Sequence, residues 1–166
     1  MRVASLAVII MLTVQPSIYA FEDRELSITE VYEKLGYTDL LSALDQYEEQ
    51  IEQQVYLPSK IPFQGEHFFG KVNENGLSIA VVGEDDDRVF HVHLTSESRN
   101  ELPSDSHTYE LSDGTEVFIV DVDEDSKDPD VSWLYMDKYD QTYSIVINSY
   151  QQEVRHYKLM GVAESI

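Results

Sequence analysis

The hydrophobic period of this chain changes at residues 58–62, between two prolines, and that change restricts the fold more than any other feature. Before it, apolar residues recur every three or four positions. After it, they alternate or run together. Helical and strand periods that are segregated along a chain, not interleaved, point to an α+β fold with an antiparallel sheet.

Ser27-Ile28-Thr29-Glu30 reads as a capping box. Ile28, Val31, Tyr32 and Leu35 follow at helical spacing, and Gly36 is placed to end the helix. A second helix is expected from Thr38 or Asp39, with the stripe Leu40, Leu44, Tyr47, Ile51 and Val55 facing a core. Its other face carries Asp45, Glu48, Glu49, Glu52 and Gln53, and Pro58 stops it.

The strand period begins after Pro62. Residues 77–82 are apolar on both faces and read as an inner strand. In 89–95, Phe90, Val92 and Leu94 point one way while His91, His93 and Thr95 point the other. Residues 96–106 read as a loop. Residues 108–111 and 115–122 form a hairpin around Ser112-Asp113-Gly114. A second hairpin joins 131–136 to 141–148 around Asp137-Lys138-Tyr139-Asp140. The last segment is open between two readings. Ser149 with Gln152 caps a helix running to Ser165, in which Gly161 costs about 1 kcal/mol; alternatively 154–159 adds a strand. The expectation is two N-terminal helices, then a mostly antiparallel sheet of six to seven strands, closed by a helix on the first of these readings.

Residues 1–20 have the layout of a secretory signal peptide. Met1-Arg2 starts it, 3–14 is apolar apart from Ser5 and Thr13, and Ile18-Tyr19-Ala20 places a small residue at the cut. Such a run falls short of the roughly 20 residues a spanning helix needs. Cleavage is expected after Ala20; the alternative is an uncleaved anchor. The remainder, 21–166, reads as one extracytoplasmic domain with a helical part at 26–55 and a sheet part at 57–166, not integral to the membrane after cleavage.

Composition excludes several chemistries. There is no cysteine, so no disulfide staple, thiolate zinc site, cysteine nucleophile or lipidated N-terminal cysteine. Acidic residues number 32 against 11 Lys plus Arg, a formal charge of −21, which excludes an electrostatic nucleic-acid binder. The charge is spread along the chain, as in secreted proteins of saline or alkaline habitats. The alternative is an acidic surface for a cationic partner. Self-repulsion of this size is screened by salt, so the melting temperature should rise between 0.05 and 1 M NaCl. A calorimetric scan showing no rise would exclude dominant surface repulsion.

Two constellations are candidates for chemistry. His91 and His93 share a strand face, roughly 7 Å apart, and could hold Zn²⁺ with a third ligand from a neighbouring strand or from His67. The plainer reading is two histidines on a solvated face. Asp121, Asp123 and Asp125 begin like a calcium loop, but Ser126 and Ser132 stand where glycine and a bidentate glutamate are required. A looser divalent site, joined by Asp128 and Asp130, remains. A divalent cation is thus the one cofactor candidate. No Gly-x-Ser-x-Gly elbow, His-Glu-x-x-His helix or glycine-rich phosphate loop occurs. Trp133, Tyr135 and Tyr139 could stack on a sugar or peptide, although Trp133 and Tyr135 are expected in the core.

From Tyr56 onward the chain resembles a domain of unknown function common in Bacillus-type bacteria. Leu57-Pro58-x-x-Ile61-Pro62-Phe63, Leu77-Ser78-Ile79-Ala80-Val81-Val82, Val131-Ser132-Trp133-Leu134, Thr142-Tyr143-Ser144-Ile145 and the closing Val162-Ala163-Glu164-Ser165-Ile166 carry the resemblance. That domain occurs in secreted proteins, lipoproteins and the outer part of anti-sigma-factor-like membrane proteins. The resemblance implies an antiparallel sheet with a terminal helix and no catalytic residues to carry over. The expected function is a non-enzymatic domain that binds or senses an extracytoplasmic ligand or protein. The alternatives are a divalent-metal protein, hydrolytic or not, using His91 and His93, and an acidic structural or partner-binding protein.

Overall fold

Ser27 opens the first helix by the reciprocal pattern written in its sequence. Its hydroxyl accepts from the Glu30 N–H at 3.3 Å, and the Glu30 carboxylate accepts from the Ser27 N–H at 2.9 Å. The computed structural model describes residues 26–83, 88–97, 106–121, 131–148 and 151–166. Helix α1 spans Ile28–Lys34 and ends at Leu35, after which Gly36 turns the chain with φ +83°. Asp39 caps α2, Leu40–Ile51, by accepting from the N–H groups of Leu41 and Ser42 at 3.0 and 3.1 Å.

Eight strands form one antiparallel sheet. They are β1 (Thr38–Asp39), β2 (Gly65–Asn73), β3 (Gly76–Gly83), β4 (Val89–Thr95), β5 (His107–Glu110), β6 (Glu116–Asp121), β7 (Ser132–Lys138) and β8 (Gln141–Ile147). Their order across the sheet is β1-β2-β3-β4-β8-β7-β6-β5. The sheet thus exceeds the expected six to seven strands, for two reasons. Thr38–Asp39 is only two residues long and pairs with Gly70 and Phe69 just before capping α2. Strand β2 lacks clean alternation and contains two glycines, so its period is weak. Gly70 has a packing cause: a Cβ there would lie 2.5 Å from the Ala43 Cβ of α2, so glycine lets this helix sit close on the sheet.

The main core lies between one face of the sheet and helices α2 and α3. Ala43, Tyr47, Ile79, Val81, Phe90, Val92, Leu94, Leu134, Met136, Ile145, Leu159 and Val162 are buried there. A smaller core forms on the other face, where Tyr32 of α1 joins Phe69, Ala80 and Val82. Strand β3 is therefore apolar on both sides because both its sides are covered.

The last segment is a helix. Helix α3 spans Gln152–Ala163 and starts at Gln151, with no side-chain capping bond; Ser149, the expected cap, lies outside the described residues. Packing of Leu159, Val162 and Ala163 into the main core outweighs the entropy that Gly161 loses in a helix. A Cβ at Gly161 would meet nothing within 4 Å. Gly161→Ala should therefore stabilise the fold by about 0.5–1 kcal/mol, read as a higher urea midpoint at unchanged m-value; a lower midpoint would refute the helical geometry at this position.

Candidate functional site

Because side chains alternate along a strand, the residues that skip the main core share the second face of the sheet. The strand register arranges them in rows. One row crosses Lys71, Ser78, His93, Ser144, Tyr135, Phe118 and Thr108. The next crosses Asp39, Phe69, Ala80, His91, Val146, Trp133 and Val120. Among the described residues, α1 packs on this face at its β2–β3 end through Tyr32, whose ring stacks on Phe69 at 4.4 Å. On β4, β8 and β7, the side chains of His91, His93, Ser144, Val146 and Trp133 are half-buried, and among the described residues no helix packs over them. Trp133 lies beside Tyr135, with ring planes 9° apart and centroids 6.2 Å apart.

This placement departs from the expectation for Trp133 and Tyr135. Both were assigned to the core, yet their neighbours Leu134 and Met136 are fully buried there and the two aromatics take the second face. The sequence of β7 is apolar on both sides, so alternation alone could not choose between its faces.

His91 and His93 do share a face. Burial pulls the His91 imidazole down to about 4, so it is neutral above acid pH. Burial lowers His93 as well, while the backbone at Asn75 acts in the opposite direction. The His93 Nδ1 is 3.1 Å from the Ser78 hydroxyl. His67 lies two strands away on β2, against Phe69 at 6.0 Å. Among the described residues, no three His, Asp or Glu side chains gather around a point that a metal ion could occupy.

Asp121 has a different setting from the one its spacing suggested. It ends β6 and accepts from Gln152 Nε2 at 2.7 Å, from His156 Nε2 at 2.9 Å and from the Ser132 hydroxyl. Arg155, buried in α3, donates through Nε to the Ser132 hydroxyl at 2.7 Å, and His156 Nδ1 lies 3.1 Å from the Tyr109 hydroxyl. The network ties α3 to β5, β6 and β7. Asp123 and Asp125, like Asp128 and Asp130, lie outside the described residues. Burial pushes the Asp121 carboxyl up, but bonds from Ser132, His156 and Gln152 outweigh it and leave the group below its ordinary value. Stability drawn from Asp121 is thus present above the unfolded pKa, near 4, and is lost as pH falls through the folded one. Asp121→Asn should cost about 1–3 kcal/mol at pH 7, with the gap to wild type narrowing below pH 4. Equal urea midpoints at pH 7 would show that the network contributes nothing.

A shallow depression of about 510 Å³ adjoins the β7–β8 turn and is lined by Ser96, Asp137, Lys138, Tyr139, Asp140, Gln141 and Thr142. Tyr139 and Asp140 both adopt positive φ, 54° and 57°, where a two-residue hairpin turn favours Asn-Gly. None of the Asp121 network lines it.

No family model, no curated protein and no solved structure matches this chain.

Proposed function

We propose that the chain is an extracytoplasmic, non-enzymatic binding domain that takes its ligand on the second face of the sheet. The observation that carries this reading is the uncharged surface formed by Trp133, Val146, Ser144, His91 and His93, half-buried beside α1 and opposite the main core. An uncharged aromatic surface on so acidic a chain is costly to leave in water and useful for recognition. The leader-like first 20 residues support the extracytoplasmic setting, as does the resemblance of 57–166 to domains found there. The Asp121–His156–Tyr109 chain has the order of a charge relay, but Asp121 and Ser132 are spent on holding α3, and its phenol faces no cavity among those described.

Trp133 is the single tryptophan, so tryptophan emission reports on this face alone. Titration with cellohexaose, chitohexaose and a neutral hexapeptide should give a saturable emission change with at least one probe, absent in Val146→Glu, with the probe recovered intact. Chemical turnover of a probe, or silence with all three, would refute the proposal.

A further inference from the structure

We infer that the partner of this face is a basic amphipathic helix of another protein, laid across β5, β6, β7 and β8 with its cations over a row of carboxylates and its apolar stripe over Tyr135, Trp133 and Val146; this rests on the reading that the second face is the binding surface. The strand register supplies the row. Glu110 stands opposite Glu116. Carried one residue further, the β6–β7 register sets Glu116 beside Asp137, which pairs with Thr142 on β8. All three carboxylates are exposed on the second face. Like charges set opposite one another destabilise a sheet. Asp137 accepts from the Thr142 hydroxyl at 2.6 Å, whereas Glu110 and Glu116 form no ion pair among the described residues. Lys138 alternates to the other face and binds Asp113 at 2.8 Å. Cations laid along the row relieve a repulsion that the fold leaves standing.

Charge alone would fit any polycation; the rows beside the carboxylates narrow the choice. Two residues along each strand, roughly 7 Å away, the next row holds Phe118, Tyr135 and Ser144, and the row after it holds Trp133 and Val146. Acidic border and aromatic surface therefore run side by side, the arrangement that a helix with one basic and one apolar flank complements. Spacing favours a helix over an extended peptide. Neighbouring strands are roughly 4.8 Å apart, and residues three or four apart on a helix are about 5–6 Å apart, so successive cations meet successive carboxylates. Side chains on one side of an extended peptide recur at roughly 7 Å and fall out of step. The chain's formal charge of −21 draws such a segment in and repels an anionic one.

Calorimetric titration with a short amidated amphipathic peptide of leucine and lysine, with its counterpart carrying glutamate for lysine, and with polylysine tests the inference. Wild type should bind the basic amphipathic peptide, more weakly as salt rises, and should not bind the acidic counterpart. Exposed ion pairs contribute little singly, so the carboxylates are removed together: Glu110→Gln, Glu116→Gln and Asp137→Asn in one chain should weaken binding about tenfold. That variant loses only repulsion and should be at least as stable as wild type. Trp133→Ala and Val146→Ser, checked for folding by circular dichroism, should each weaken binding as well. Wild-type affinity in the carboxylate variant, with both face variants impaired, would overturn the basic partner and leave the face as the ligand surface. Equal affinity for polylysine, unchanged by Trp133→Ala, would overturn the amphipathic helix in favour of bare charge. Failure of the basic peptide where a neutral probe still shifts Trp133 emission would overturn this inference alone, and silence toward every probe would overturn both.

Discussion

Gly76→Ala should remove a large share of this protein's folding stability. Gly76 starts β3 directly after the tight turn from β2, at φ +132°, a region closed to residues with a side chain. A Cβ built there would stand 1.9 Å from the Leu94 carbonyl oxygen of β4 and 3.2 Å from the Thr95 Cα. Both obstacles are backbone, so no rotamer change relieves them. Either β3 moves off β4 or the hairpin turn rearranges, and each option breaks the pairing of Leu77 with Leu94 at the centre of the main core. The expected cost is about 4 kcal/mol or more, set against a typical total of about 5–15. Urea unfolding followed by circular dichroism measures it. Gly161→Ala serves as the control, because the same substitution there meets open space. A midpoint for Gly76→Ala within experimental error of wild type would contradict the β2–β3–β4 register.

Acid should weaken the fold through His91. Its folded pKa, about 4, lies below the ordinary value near 6.5 because burial on the second face penalises the imidazolium. Between those two values the unfolded chain binds a proton that the folded chain refuses. The contribution is therefore complete above pH 6.5, falls as pH drops toward 4, and is flat below. At 1.36 kcal/mol per pH unit, the full loss is about 3 kcal/mol. Carboxylate repulsion relaxes over the same acid range and acts in the opposite sense, so the informative quantity is the difference between wild type and His91→Gln. Wild type should lose about 3 kcal/mol more than the variant between pH 7 and pH 4. Parallel pH profiles would place the His91 ring in water.

The legible parts of this fold are those encoded by local spacing. The box at Ser27 and Glu30, the stop at Gly36 and the division of β4 into Phe90, Val92 and Leu94 against His91 and His93 all depend on residues a few positions apart. What escaped depends on partners distant in sequence. Strand β2 carries no clean alternation and holds Gly65 and Gly70, yet Gly70 is required by Ala43 across the interface. Ala43 itself is one of the two residues of α2 that are fully buried, although it lies outside the stripe read from the sequence. For Trp133 and Tyr135, two apolar faces gave no local preference, and the packing of α3 over Leu134 and Met136 decided the matter. Asp121 was visible only as the first of several spaced carboxylates. Its partners, Ser132, Gln152 and His156, come from β7 and α3, and no short-range pattern announces them.

The turn between β7 and β8 is a place where sequence and geometry disagree. Asp137-Lys138-Tyr139-Asp140 contains no glycine, yet Tyr139 and Asp140 hold the left-handed conformations that glycine and asparagine adopt at least cost. Local contacts offset this. The Gln53 side chain donates to the Tyr139 carbonyl at 2.9 Å, and the Tyr139 ring rests on Tyr56 at 4.5 Å. The turn thereby joins the end of α2 to the sheet.

The central claim is that recognition happens on the second face of the sheet. Amide chemical shifts of ¹⁵N-labelled protein, recorded with cellohexaose, chitohexaose and the neutral hexapeptide in turn, test it most directly. Saturable changes are expected for at least one of them, concentrated at His91, His93, Ser144, Val146 and Trp133. Changes confined to the helical side, to the depression by the β7–β8 turn, or to no residue at all would contradict it.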